Sequence, residues 1–150
     1  MSLRSILERR WIQSGLALIV GGVFVYAGWV GFSDPLQLAD NVASFRVLPS
    51  LAVVPFALSM PMFEMVAGSL TIIGLKRGSA VLGLAIMTAI FCVAIASALA
   101  RGLVIDCGCF GASVPSRERM WLDLGRDLLL LMGTIVVYAA SRDLWPARRS

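Results

Sequence analysis

Two cysteines separated by a single glycine, in the run Asp106-Cys107-Gly108-Cys109-Phe110-Gly111, are the residues of this chain best equipped for chemistry. A lone cysteine packs as a small apolar residue, but two thiols beside an aspartate and between glycines are poorly explained as packing. Their natural chemistry is thiol–disulfide exchange. Bridged cysteines keep their Cα atoms roughly 4.4 to 6.8 Å apart, so a Cys107–Cys109 disulfide needs a backbone bend, which Gly108 eases. The small ring would be strained, and strained or exposed disulfides are the oxidising, labile ones suited to exchange rather than to stapling a fold. The competing readings are a stable bridge to another part of the chain, or two inert thiols. Cys92, the remaining cysteine, lies well inside an apolar stretch. At 1.5 Å per helical residue it is about 12 Å below Ala100, which suits a core residue unless a reentrant loop lowers Cys107 toward it. Exchange requires a thiolate: Asp106 opposes one, while Arg101, Arg117 or Arg119 would favour it if folded inward.

A second set of ionisable residues lies within apolar sequence. Glu64 falls near the middle of one such stretch, where an unpaired carboxylate costs about 3 kcal/mol on insertion scales, so it requires a partner or a proton. Asp123, Arg126 and Asp127 share one helical face, because side chains three and four residues apart meet. Arg126 is the natural countercharge for Glu64 across the bundle and for its own helix neighbours. Two readings remain open: a charge network that fixes helix register, or a proton path or cofactor site coupled to thiol oxidation. Met60, Met62 and Met65 surround Pro61. With the thiols they could ligate Cu(I), but the three methionines point to different sides of a helix, and packing explains them better. Two cysteines without histidine leave a zinc site incomplete, so no metal is assigned.

The elements that must position these residues are read from composition. Of 150 residues, 59% are hydrophobic and 15% charged, with a mean hydropathy of +0.87, far more apolar than an ordinary soluble domain. Four stretches reach the roughly 20 apolar residues that cross a hydrocarbon core: 11–32, 50–75, 79–100 and 120–140. The first exceeds the core of a cleaved signal and lacks a small-residue cleavage pattern, so it reads as a retained span. The net charge of +4 does not indicate nucleic acid as a partner, because the charges lie at the ends of spans facing lipid. Arg4, Arg9 and Arg10, then Lys76 and Arg77, then Arg142, Arg148 and Arg149 mark three cytoplasmic regions. Alternation places both termini inside and the cysteine loop outside; in a bacterial cell that is the oxidising periplasm, with the spans in the inner (plasma) membrane.

Smaller signals refine the picture. Asp34-Pro35 resembles an N-cap followed by proline at the first helical position, with Leu38, Val42 and Phe45 at helical spacing, as for a short helix along the outer surface. Gly15, Gly21, Gly22, Gly28 and Gly31 in the first span, and Ser79, Gly83, Ala85 and Ala89 in the third, allow close helix approach. Pro61 removes a backbone donor inside the second span and is expected to bend it. The expected architecture is all-α, a polytopic membrane four-helix bundle, with residues 1–150 forming one integral membrane domain.

The chain resembles the MauE and DoxX-like family of four-span bacterial membrane proteins, associated with methylamine utilisation and thiol redox systems. The likeness covers nearly the whole chain. It rests on Ala27-Gly28 before Asp34-Pro35, on Phe45-Arg46-Val47-Leu48-Pro49, on Met60-Pro61 with Glu64 and Gly68, and on Arg126-Asp127. Above all it rests on Ala100-Arg101-Gly102 leading into the Cys107-Gly108-Cys109 loop. Gly31 departs from it, standing near where related chains carry a lysine. The resemblance implies a membrane partner of a periplasmic thioredoxin-like protein, helping disulfide formation or maturation of an exported disulfide-containing enzyme such as the methylamine dehydrogenase small subunit. Cys107 and Cys109 would then be the catalytic pair of a thiol–disulfide oxidoreductase. Some relatives are linked to quinone reduction, and by that likeness Glu64 and Arg126 would shape a site for a proton or a quinone headgroup. The alternatives are a noncatalytic scaffold subunit of a larger membrane complex and a Cu(I)-handling membrane protein.

Overall fold

A computed structural model describes residues 10–105 and 114–143. Among them are five helices and no strand: α1 (Arg10–Ser33), α2 (Pro35–Ser44), α3 (Ser50–Ile73), α4 (Arg77–Ala100) and α5 (Arg117–Asp143). All except α2 are long and apolar enough to cross a membrane, which makes this a multi-pass membrane protein. In such a solvent a helix satisfies its own backbone polar groups and needs no apolar face in particular. Large apolar side chains therefore point outward on every span. Trp11 is 89% exposed and Trp29 62% on α1, 18 positions or about 27 Å apart, the spacing of two interfacial tryptophans across a hydrocarbon core.

The four spans run up and down in turn, and their closest pairs are α1 with α3 and α4 with α5. Glycine sets the first pair. A Cβ added at Gly21 would lie 2.7 Å from the Gly68 carbonyl oxygen, and one added at Gly68 would lie 2.8 Å from that of Gly21, so two backbones touch here. One turn or two further along, Gly28 lies against the Pro61 carbonyl oxygen, and Gly31 against Leu38 and the Pro61 ring. At Gly31, the departure from the family pattern, a Cβ would lie 3.2 Å from both Leu38 Cδ2 and Pro61 Cγ, a tight contact. Gly15 and Gly22 face open space. In α4, Gly83 receives the Phe63 ring of α3. Pro55 and Pro61 lie within α3, whose helical assignment runs unbroken through both.

The surface helix forms as expected. Asp34 caps α2, its Oδ1 accepting a hydrogen bond from the Gln37 backbone N–H at 3.1 Å, with Pro35 in the first turn. Leu38, Val42 and Phe45 are buried. The expected span edges shift at two connections. Gly74 and Lys76 both adopt left-handed backbone (φ +85° and +48°), turning the chain so tightly that α3 stops at Ile73 and α4 starts at Arg77. Arg77 closes this turn by donating from Nε to the Thr71 carbonyl at 3.0 Å. The last helix begins at Arg117 instead of 120, because the Ser116 hydroxyl accepts from the Arg119 N–H at 3.2 Å and so extends the helix through a charged first turn.

Candidate functional site

The cysteine pair Cys107 and Cys109, together with Asp106 and Gly108, lies outside the described residues. What the structure describes is its frame. The connection that carries it leaves α4 at Ala100 and rejoins at α5, at the end of the bundle where α2 also lies. Arg101 ties these parts together: its Nη2 donates to the Phe45 carbonyl at 2.7 Å and its Nε to the Ser97 carbonyl at 3.3 Å. Phe45 ends α2 and packs with Ile95, Ala98, Leu99 and Met120. The Ile105 N–H donates to the Met120 sulfur at 3.4 Å. Of the three arginines considered as thiolate partners, Arg101 thus serves the junction with the surface helix, and Arg117 and Arg119 are exposed on the first turn of α5. Cys92 is buried in α4, in accord with a core position.

A second site lies at mid-depth. Glu64 is 14 positions from the start of α3, about 21 Å, and Asp127 is 10 from the start of α5, about 15 Å, so the helices bring them to similar levels. Each is over nine-tenths buried, Glu64 at 5% exposure and Asp127 at 6%. They line one small cavity, of about 20 Å³, to which all four spans contribute: Val23, Phe24 and Ala27 from α1, Met87, Thr88 and Phe91 from α4, and Leu130 beside Asp127. Such a volume has room for about one water molecule.

Arg126 does not line the cavity. Its guanidinium bridges two carboxylates of its own helix, Nη1 lying 3.0 Å from Asp123 Oδ1 and Nη2 3.1 Å from Asp127 Oδ1, with Nε 3.2 Å from the same oxygen. The expected one-face cluster on α5 is therefore present, and it is Asp127 that shares Glu64's cavity. Sequence spacing identified each residue but not this pairing across the bundle. Thr88, which no sequence pattern singles out, adds a hydroxyl that donates to the Leu84 carbonyl at 2.8 Å and keeps its lone pairs available. The methionines diverge: Met60 is buried and Met62 is 59% exposed on the outer face of α3, so they do not converge on one ion.

Four apolar spans are also what the resemblance led us to expect. No curated protein and no solved structure matches the chain significantly. The sequence model of one family, described as methylamine utilisation protein MauE, matches residues 9–140, and the chain belongs to that family.

Proposed function

We propose that this protein is a membrane redox accessory of the bacterial inner membrane that supports thiol–disulfide exchange in the maturation of exported enzymes of the methylamine dehydrogenase type. Membership of the MauE family supports the link to methylamine utilisation. The observation that carries the exchange chemistry is Cys107-Gly108-Cys109 itself, two thiols one residue apart in the connection between α4 and α5. In the forward step a thiolate of the pair attacks a disulfide of a periplasmic thioredoxin-like partner, forming a mixed disulfide and expelling one partner sulfur as thiolate. The second cysteine attacks the mixed disulfide and releases the other. Two electrons and two protons pass to the partner, which ends as a dithiol while Cys107–Cys109 ends as a disulfide; the reverse direction uses the same steps. The basic connection at Lys76 and Arg77 supports an orientation with that end cytoplasmic and the cysteine loop periplasmic.

Alkylation of intact cells with a mass-tagged maleimide, before and after mild reduction, tests this reading. Both thiols are expected to become reactive only after reduction in a fraction of the molecules, and a Cys107→Ser or Cys109→Ser single variant is expected to trap the partner as a mixed disulfide. Thiols that never change state, or a double serine variant that still supports maturation of the exported enzyme, would leave only the scaffold reading.

A further inference from the structure

Two carboxyl groups from facing helices, Glu64 and Asp127, line one cavity inside the bundle. Arg126 is engaged with Asp123 and Asp127. Glu64, on the facing helix, meets no hydrogen-bond or ion-pair partner among the described residues, although it is 95% buried and opens on the cavity it shares with Asp127. No ionisable residue of α1 or α4 lines that cavity to balance it; the groups facing it there are Thr88 and apolar side chains. A carboxyl in this position needs a cation, and the smallest is a proton. The cavity offers a single water three polar partners, in Glu64, Asp127 and the Thr88 hydroxyl, within the two to four that hold a buried water in place.

The surroundings of the cavity differ at its two ends. Toward the basic end lies an apolar plug of Ala17, Val20, Val81, Leu84 and Val137, all at most 3% exposed. The buried hydroxyls of Thr71 and Thr134 lie outside the cavity lining and donate to the Ala67 and Leu131 carbonyls of their own helices. Toward the cysteine-loop end, by contrast, Arg126 bridges Asp127 to Asp123, about one turn nearer that end, and the Arg126 and Asp123 side chains are 31% and 22% exposed.

We propose that Glu64 and Asp127 form an intramembrane proton-binding site, one exchangeable proton and one water held between two carboxyl groups, which fills from the cysteine-loop end by way of Asp123 and Arg126. The site is independent of the exchange chemistry assigned to the thiols and stands or falls separately from it.

Infrared spectroscopy of the purified full chain in lipid nanodiscs tests the proposal. The unmutated protein is expected to show the C=O stretch of a protonated carboxyl at neutral pH. This band should disappear in Glu64→Gln and move in frequency in Asp127→Asn, which alters its neighbour without removing it. Transfer to heavy water reads access. Asp123→Asn should slow the exchange-induced shift of the band several-fold, whereas Thr134→Val, on the far side of the plug, should leave its rate unchanged. Absence of the band in the unmutated protein overturns the site without recourse to any variant, as does a band that survives Glu64→Gln or ignores Asp127→Asn. Exchange slowed by Thr134→Val and not by Asp123→Asn overturns the direction of access.

Discussion

Gly28→Ala tests whether the bundle is held at the spacing on which the central cavity depends. A Cβ at position 28 would lie 2.6 Å from the Pro61 carbonyl oxygen, 2.7 Å from Met65 Cγ and 3.1 Å from the Met65 nitrogen. The first is about 0.8 Å short of the 3.4 Å at which ordinary contact begins, and two of these three atoms are backbone, so α1 must move away from α3. Overpacking of this kind costs about 1 to 3 kcal/mol. Alanine also raises helix propensity by about 1 kcal/mol over glycine, which would mask part of the cost. Gly22→Ala supplies the control, because a Cβ there meets nothing within 4 Å on the same helix. The propensity gain is common to both variants and cancels in their difference. Gly28→Ala is therefore expected to be about 1 to 3 kcal/mol less stable than Gly22→Ala, measured by titrating mixed micelles with dodecyl sulfate and following helicity. Ala27, next to Gly28, walls the cavity, so the displacement should also loosen the environment of Glu64 and broaden its carboxyl band. Equal stabilities for the two variants would refute the close approach of α1 and α3.

Two further perturbations address the ends of the polar framework. Arg101→Gln shortens a side chain whose guanidinium donates at 2.7 Å to the carbonyl of Phe45, the C-cap of α2, so amide exchange in residues 42–46 should accelerate several-fold while the core of α4 is unaffected; unchanged exchange would show that the surface helix is held by its apolar face alone. Arg126→Leu leaves Asp123 and Asp127 without their shared countercharge. Breaking a fully buried pair costs roughly 3 to 5 kcal/mol, and with Arg126 31% exposed about 2 kcal/mol is expected; adding Asp127→Asn should restore most of it, and a double variant no better than the single would refute the pairing.

What could be read from the sequence follows from which forces are local. Span length against bilayer thickness is a one-dimensional comparison, so the four spans were legible, and so was α2, whose cap is encoded by the adjacent Asp34 and Pro35. The start of α5 was not, because a count of apolar residues skips Arg117, Glu118 and Arg119, which Ser116 draws into the helix; a serine three residues before Arg119 was the available signal. Spacing placed Asp123, Arg126 and Asp127 on one face, since that relation lies within a helix. It could not pair Asp127 with Glu64, which depends on the relative register of α3 and α5. For the same reason Gly21 and Gly22 are indistinguishable in sequence, although one touches the Gly68 backbone and the other faces open space.

The position of the cavity has a cause in the packing of the spans. In the α1–α3 pair, backbone contacts at Gly21–Gly68 and Gly28–Pro61 leave no room for a polar side chain, and α4 with α5 forms the other intimate pair. The two pairs meet through longer side chains such as Phe24, Phe63, Leu84 and Leu130, and a seam filled by side chains leaves gaps that a backbone contact does not. Glu64 reaches this seam from one pair and Asp127 from the other, Asp127 with its carboxylate held by the neighbouring Arg126. A proton held between them would therefore act on the junction of the two pairs: its presence removes a repulsion across the seam, and its loss restores one. If this is so, the Asp127→Asn variant, which removes that repulsion permanently, should gain stability over the parent as pH rises, measured in the same micellar titration. A difference that is flat with pH would mean that the seam is held by apolar contacts alone.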